Sequence, residues 1–164
     1  MRIIIVALFA LFLPATLFAD NFVSVFMDKC AEDERPVSNV NIGKAMLDKM
    51  AANTDDEELK AAFRELNSIR IVSVDDEEDS KYYFKKANEL IRESFGDYEE
   101  AVSLSETDSK ISVWMKRPDE EKQNLILLSL SSDGKLFIIT VSGKIDFNSI
   151  SKLSGLLRNR PQLP

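Results

Sequence analysis

The feature that most constrains the fold is a pair of apolar segments joined at Asp133-Gly134. Residues 125–131 and 136–142 are rich in Leu, Ile and Val. An Asp-Gly pair between two such segments predicts a β-hairpin with a two-residue turn, in which both central residues have positive φ. Because residues 136–139 are apolar at every position, we expect the second strand to lie inside a sheet and to be covered on both faces.

Two segments with a period of two precede this hairpin, and a segment with a helical period follows it. Residues 100–105 and 111–116 alternate in polarity, so together with the hairpin they predict a four-strand antiparallel meander. Residues 146–157 predict a helix that begins at Asp146. Its apolar positions, which we expect to face the sheet, are Phe147, Ile150, Leu153 and Leu157.

The first half of the chain alternates between helical and extended segments. Helices are predicted at residues 21–32, at 43–50, after Thr54 and at 80–95, and strands at residues 37–42 and 68–74. Thr54 and Glu57 have the spacing of a capping box, in which each side chain bonds the backbone of the other. The five acidic residues 75–79 precede a helix, where they stabilise its positive end.

This order of elements predicts an α+β fold with a mostly antiparallel sheet that ends in the meander and has helices packed on one face. The two strands of the first half are connected through helices, so they can pair in parallel, which leaves a mixed sheet open. The chain has 164 residues, enough for one domain. We predict a signal peptide at residues 1–19, a domain at 20–157 and a loose tail at 158–164.

The N-terminal residues have the pattern of an export signal. Arg2 provides a positive charge at the N-terminus, residues 3–13 are apolar, and Pro14 ends this apolar segment. Ala19, a small residue, follows five positions later. This order predicts a secretory signal peptide cleaved after Ala19. The apolar segment is shorter than the roughly 20 residues of a transmembrane helix, although a retained anchor stays open. We therefore expect an exported protein, periplasmic or associated with the cell envelope, without a transmembrane segment once the signal is removed.

The charge and cysteine content restrict the partners. Without residues 1–19, the chain carries 20 Lys and Arg residues and 28 Asp and Glu residues, a net charge of −8. Because phosphate backbones repel an acidic protein, we expect no nucleic acid partner. The single cysteine, Cys30, excludes an internal disulfide, which fits a bacterial envelope protein better than a disulfide-stapled secreted one.

The residue types limit the possible chemistry. The chain contains no histidine, which excludes Ser-His-Asp and Cys-His catalysis. Cys30 lies on the apolar side of the first helix, so we interpret it as a buried small apolar residue. Ser149 and Lys152 have a Ser-x-x-Lys spacing, but its companion motifs are absent. We predict no catalytic residue, cofactor or metal site, although the acidic residues 75–79 leave a weak cation site open.

The single tryptophan is the candidate contact for a partner. Trp114 alternates with Val113 and shares one side of its strand with Ser112 and Lys116. If the helices cover the side of Val113, Trp114 lies on an open face, where an exposed tryptophan would suit an interaction. Ser112, Trp114 and Lys116 are therefore our candidate interaction face. The alternative is that a loop or the first helix covers Trp114.

Three sequence blocks carry a resemblance to a known family. Residues 40–46 (VNIGKAM), 66–72 (LNSIRIV) and 142–153 (SGKIDFNSISKL) resemble an envelope family known as domain of unknown function 4252. The resemblance covers residues 22–157, and the last block is its most specific part. Members typically carry an export signal, some as lipoproteins, and this chain lacks a lipoprotein cysteine. The resemblance implies that the protein is exported and shares the fold of the family, and it supplies no catalytic residue.

These observations favour a non-enzymatic exported protein that binds another protein or an envelope component. One alternative is a hydrolase or metal-dependent enzyme acting through acidic residues, for which a deep cleft with converging carboxylates would be the sign. A regulatory component of an envelope-sensing system is a further alternative, and it rests on family analogy alone.

Overall fold

The computed structural model describes residues 22–117 and 123–145. Within these residues the helices are α1 (Phe22–Glu32), α2 (Lys44–Asn53), α3 (Glu57–Glu65) and α4 (Glu77–Ser94). The strands are β1 (Ser38–Gly43), β2 (Leu66–Val74), β3 (Tyr98–Ser105), β4 (Lys110–Lys116), β5 (Gln123–Leu130) and β6 (Leu136–Gly143). The predicted signal peptide (1–19), the final helix (146–157) with Ser149 and Lys152, and the tail (158–164) lie outside the described residues.

The six strands form one sheet in the order β1-β2-β6-β5-β4-β3, and every neighbouring pair is antiparallel. The α+β class is therefore confirmed, as is the antiparallel meander from β3 to β6. The parallel pairing that we left open for the first two strands does not occur. The reason is that the chain between β1 and β2 forms two helices, α2 and α3, which pack against each other. Two helices return the chain to the end of the sheet where it left, so β2 runs opposite to β1.

Helices cover both faces of the sheet. On the first face α1 and α4 pack against one set of alternating residues, which includes Val72 of β2 and Ile138 of β6. On the second face α2 and α3 pack against the other set, which includes Ile69 and Ile139. The prediction of helices on one face is therefore wrong. The expectation that the last strand is covered on both faces is confirmed, since Ile138 and Ile139 are both buried.

Acidic side chains begin two of the helices. The Asp56 carboxylate accepts hydrogen bonds from the Glu58 and Leu59 amides at 2.9 and 3.1 Å, so Asp56 caps α3. The predicted capping box at Thr54 is wrong, because the aspartate two residues later takes the cap. Asp76 caps α4 by accepting from the Asp79 amide at 2.9 Å. The interpretation of the acidic run as a helix start is confirmed, although α4 begins three residues earlier than predicted.

The hairpin between β5 and β6 has a longer turn than the sequence suggested. The Ser131 amide donates to the Lys135 carbonyl at 2.9 Å, and the Gly134 amide donates to the Ser131 carbonyl at 3.0 Å. The loop therefore has three residues, and among them only Gly134 has positive φ, at 76°. This arrangement is a tight turn followed by a left-handed glycine. The hairpin is confirmed, whereas the two-residue turn with Asp133 at positive φ is wrong.

Gly143 closes the end of β6 against the junction of α3 and β2. Its φ is 137°, which L side chains rarely adopt. A Cβ atom there would lie 2.6 Å from the Glu65 carbonyl oxygen and 2.7 Å from the Leu66 Cα. The next amide, of Lys144, donates to the same Glu65 carbonyl at 3.0 Å. The central strand therefore approaches the backbone of the neighbouring segment too closely for any residue but glycine.

Gly143→Ala should lower the free energy of unfolding by at least about 2 kcal/mol, because it adds backbone strain and a collision with main-chain atoms. Urea unfolding followed by circular dichroism measures the change. The matched control is Gly96→Ala, where a Cβ meets nothing within 4 Å and φ lies outside the left-handed region. The control should lose no stability. Equal effects of the two substitutions would contradict the close approach at Gly143.

Candidate functional site

The candidate interaction face of the sequence analysis lies beneath α4. Trp114 is 5% exposed and Ser112 is 3% exposed. Both residues point to the first face, which α1 and α4 cover. The expectation of an open face around Trp114 is therefore wrong, and the alternative of a covered tryptophan is correct, with α4 providing the nearest cover. Lys116 is only partly buried, and its Nζ lies 3.7 Å from the Asp97 carboxylate.

A buried amide explains why Trp114 and Ser112 are inside. The Asn88 Oδ1 of α4 accepts hydrogen bonds from Trp114 Nε1 at 3.0 Å and from Ser112 Oγ at 2.9 Å. The Asn88 Nδ2 donates to the Phe84 carbonyl at 3.0 Å. Ser112 Oγ also lies 2.9 Å from the Glu100 carboxylate, and its single proton serves one acceptor at a time. These hydrogen bonds hold α4 against β4, so we assign Asn88, Ser112 and Trp114 a structural role.

An unfilled cavity lies on the same face, toward the other edge of the sheet. Its volume is about 220 Å³. We call it the Arg70 cavity, and its lining residues are Phe22, Val23, Asn41, Ser68, Arg70, Tyr98, Asn124, Leu125, Ile126, Thr140, Val141 and Ser142. Most of its polar side chains come from four adjacent strands. The cavity is therefore built on the sheet rather than on loops.

These polar groups lie together because β2, β6 and β5 change from apolar to polar toward the same end, and β1 adds Asn41 beside them. Two cross-strand rows result. One row contains Asn41, Arg70 and Thr140, and the next contains Ser68, Ser142 and Asn124. The neighbouring row on this face is apolar, with Val72 opposite Ile138, and it belongs to the core. Side chains at alternate positions share one face of a sheet, so the change in polarity produces a polar floor.

Among the described residues that line the cavity, Arg70 alone is charged. Its Nε is buried and has no hydrogen-bond partner. Among the described residues no ion pair to its guanidinium is formed, and the lining contains no Asp or Glu. A buried donor without a partner costs about 1–3 kcal/mol. The described lining therefore carries a positive charge and no negative one, in an otherwise acidic protein.

The start of α1 forms the roof of the cavity. Phe22 and Val23, its first two residues, line the cavity and are almost fully buried. The Phe22 ring lies 5.6 Å from the Phe95 ring in an edge-to-face arrangement and 6.0 Å from that of Phe26. These contacts hold the roof against α4.

Sequence reasoning missed this cavity for a definable reason. Thr140 and Ser142 interrupt the apolar side of β6, and this interruption was visible in the sequence. The significance of Arg70 was not visible, because it depends on which strand lies beside β2. Only the antiparallel register with β6 brings Arg70 opposite Thr140.

Cys30 is buried, as the sequence predicted, at 1% exposure on the inner side of α1. Burial raises the pKa of its thiol to about 11, a hydrogen bond with Tyr83 opposes the shift, and Asp33 adds to it. The Tyr83 hydroxyl donates to the Asp33 carboxylate at 3.1 Å, and burial likewise raises the pKa of Tyr83. The thiol is therefore protonated at neutral pH and lies away from the Arg70 cavity.

The acidic residues at the start of α4 bond to neighbouring groups. Asp76 caps the helix, Glu77 pairs with Lys81, and Asp79 pairs with Arg35. Across residues 22–117 and 123–145 no cluster of three or more Cys, Asp or Glu side chains could hold a metal ion. No helix in this part of the chain is long and apolar enough to cross a membrane.

Comparison with known families identifies the chain. A family described as domain of unknown function (DUF4252) matches residues 31–153, which are 123 of the 164 residues. The chain belongs to this family. The DUF4252 match confirms the resemblance suggested by the three sequence blocks, over a narrower range than residues 22–157. No curated protein matches the chain.

The DUF4252 region contains most of the Arg70 cavity. All the lining residues on the strands fall within residues 31–153, whereas Phe22 and Val23 of the roof precede the match. Ser112, Trp114 and Asn88 also fall within it. The family description names no activity, so the function of this DUF4252 member has to be argued from the geometry of its own cavity.

Asn88→Ala should lower the free energy of unfolding by about 2–3 kcal/mol, because it leaves the buried Trp114 Nε1 without an acceptor. Urea unfolding monitored by tryptophan fluorescence measures the loss. Lys116→Gln is the control on the same strand, and it should change stability by less than about 0.5 kcal/mol because its ion pair is long and its partner Asp97 is exposed. If Asn88→Ala left the free energy of unfolding unchanged, the Asn88 amide would not hold α4 against β4.

Cys30 should react with a thiol reagent much more slowly in the folded than in the unfolded protein. A rise in pKa from 9.0 to about 11 reduces the thiolate fraction at pH 8 by about a hundredfold, before any loss of access. The rate of alkylation by iodoacetamide is followed by mass spectrometry with and without a denaturing concentration of urea. The comparison gives the ratio of the rates in the unfolded and folded protein. Similar rates in the two states would contradict a buried, protonated thiol.

Proposed function

We propose that this protein is an exported, non-enzymatic binding protein whose ligand site is the Arg70 cavity. The observation that carries the proposal is the cavity itself, which has a mixed polar and apolar lining, a roof held by aromatic contacts and an arginine whose Nε has no hydrogen-bond partner. Small-molecule sites are typically preformed and concave, with a few polar groups that orient the ligand. The volume suits a molecule the size of an amino acid derivative rather than a macromolecule.

The lining favours binding over bond chemistry. General acid–base catalysis needs a group that titrates near the working pH. The described part of the lining offers asparagine, serine, threonine, tyrosine and arginine as polar residues, and it contains no carboxylate or thiol. Ser68 Oγ and Ser142 Oγ lie 2.7 Å apart, so the partner of each hydroxyl is another hydroxyl rather than a base. Neither serine is activated as a nucleophile by a lining residue.

The absence of carboxylates from the described lining also argues against the hydrolase alternative. That alternative requires acidic side chains that converge in a cleft. The described cavity is lined by no acid, and the acids at the start of α4 are engaged in caps and ion pairs. The geometry therefore supports the binding proposal better than the hydrolase.

The export part of the proposal rests on the sequence. The basic start, the apolar residues 3–13 and Ala19 are typical of a cleaved signal. Cleavage after Ala19 would leave the whole of α1 intact, including both residues of the cavity roof. A protein that acts at the cell envelope and binds a small ligand there is consistent with both features.

The proposal predicts that the exported protein binds at least one small polar molecule in the cavity. The full chain is expressed in a bacterial host and purified from the periplasmic extract, where its intact mass should show loss of residues 1–19. A panel of N-acetylglycine, N-acetylglycinamide, glucose and inorganic phosphate is then titrated and followed by amide NMR. At least one compound should shift the Thr140 and Ser142 amides saturably.

Substitutions test whether the cavity is the site. Ser142→Leu fills part of the cavity and should abolish the shifts. Ser129→Leu places the same side chain at a half-buried serine of β5 outside the lining, and it should leave them unchanged. Retention of residues 1–19 would contradict the export part of the proposal. A panel in which no compound shifts the cavity amides, or shifts that persist in Ser142→Leu, would contradict the binding part.

A further inference from the structure

We infer that the Arg70 cavity takes a ligand bearing a single carboxylate, and that Arg70 is the residue that recognises it. This inference rests on the binding function proposed above and specifies the chemical class of its ligand. It follows from the charge and the hydrogen-bonding groups around the cavity.

The charge of the cavity favours an anionic ligand. The guanidinium of Arg70 carries a positive charge and has five N–H donors in a plane. None of the described residues gives it a carboxylate or a hydrogen-bond acceptor, and its Nε is buried. A buried donor without a partner is unfavourable. A negatively charged ligand would supply both the missing charge and the missing acceptors.

The balance of charge favours a carboxylate over a phosphate. Arg70 provides one full positive charge, and the lining residues that the structure describes include no lysine or second arginine. A carboxylate carries one negative charge and presents two oxygens that match the fork of a guanidinium. A phosphate carries between one and two negative charges at neutral pH. Its excess charge would remain uncompensated in a half-enclosed site of an acidic protein.

Neutral side chains around Arg70 can bind the rest of the ligand. Asn41, Asn124 and Thr140 line the cavity, and within the described part of the chain their side chains make no hydrogen bond to another residue. Each can donate and accept. A small carboxylic acid with an amide or hydroxyl group therefore fits the cavity better than a purely apolar acid.

A carboxylate could reach Arg70 from two sources. One is a free ligand, and the other is the chain's own Asp20, which precedes the first residue of α1 by two positions and lies outside the described residues. Signal cleavage after Ala19 would leave Asp20 as the first residue. The chemistry is the same in both cases, so the experiment needs an arm that separates them.

The test titrates the exported, signal-cleaved protein with N-acetylglycine and with its neutral analogue N-acetylglycinamide, and follows Thr140 and Ser142 amides together with the Arg70 Nε–H by NMR. N-acetylglycine should shift all three signals saturably, and the amide should bind at least about tenfold more weakly. Arg70→Gln should weaken N-acetylglycine binding by about ten- to a hundredfold. Arg64→Gln removes an exposed arginine outside the cavity and should leave binding unchanged.

The remaining arms separate the possible outcomes. Asp20→Asn should leave the affinity for N-acetylglycine unchanged if the cavity is open, whereas an increase of tenfold or more would show that Asp20 occupies it and would overturn the free-ligand inference. Equal binding of the acid and the amide, or equal affinity of wild type and Arg70→Gln, would overturn the carboxylate inference while leaving the binding function standing. Tighter binding of inorganic phosphate than of N-acetylglycine would overturn the choice of anion. Failure of every compound in the panel would instead reject the binding function.

Discussion

The burial of β6 on both faces is the constraint on which the rest of the structure depends. This strand pairs with β2 on one side and β5 on the other, and its Ile138 and Ile139 point to opposite faces and are both buried. Burying one such side chain contributes about 1.5–3 kcal/mol. Covering one face alone would expose half of these residues. The chain therefore needs helices on both sides, and α1 with α4 and α2 with α3 provide them.

The cavity is a consequence of the place where this burial stops. On the first face, β2 and β6 change from Val72 and Ile138 to Arg70 and Thr140 within one step of alternation. Helix α1 begins above this change, so its first residues cover the polar rows without filling them. An unpartnered buried donor costs about 1–3 kcal/mol. Sites that violate the packing rules of the core in this way are where function is expected.

Most helices and strands could be predicted from the sequence, whereas the contacts between them could not. Periodicity gave every described helix and strand to within a few residues, because it depends on local patterns of burial. Strand order, register and the side on which helices pack depend on long-range contacts, and these decided the antiparallel β1–β2 pair and the burial of Trp114. Asn88 was a missed signal. An amide on the inward face of a predicted helix requires a buried polar partner, and Trp114 is that partner.

The contrast between Trp114 and Arg70 shows why one is structural and the other is the candidate site. Both residues belong to a single row across the first face. The row contains Asn41, Arg70, Thr140, Ile126, Trp114 and Glu100. At one end α4 brings Asn88 over the indole, so the polar group of Trp114 has its acceptor inside the protein. At the other end no described residue supplies an acceptor for Arg70. The same sheet thus satisfies one buried donor internally and leaves the other without an acceptor among the described residues.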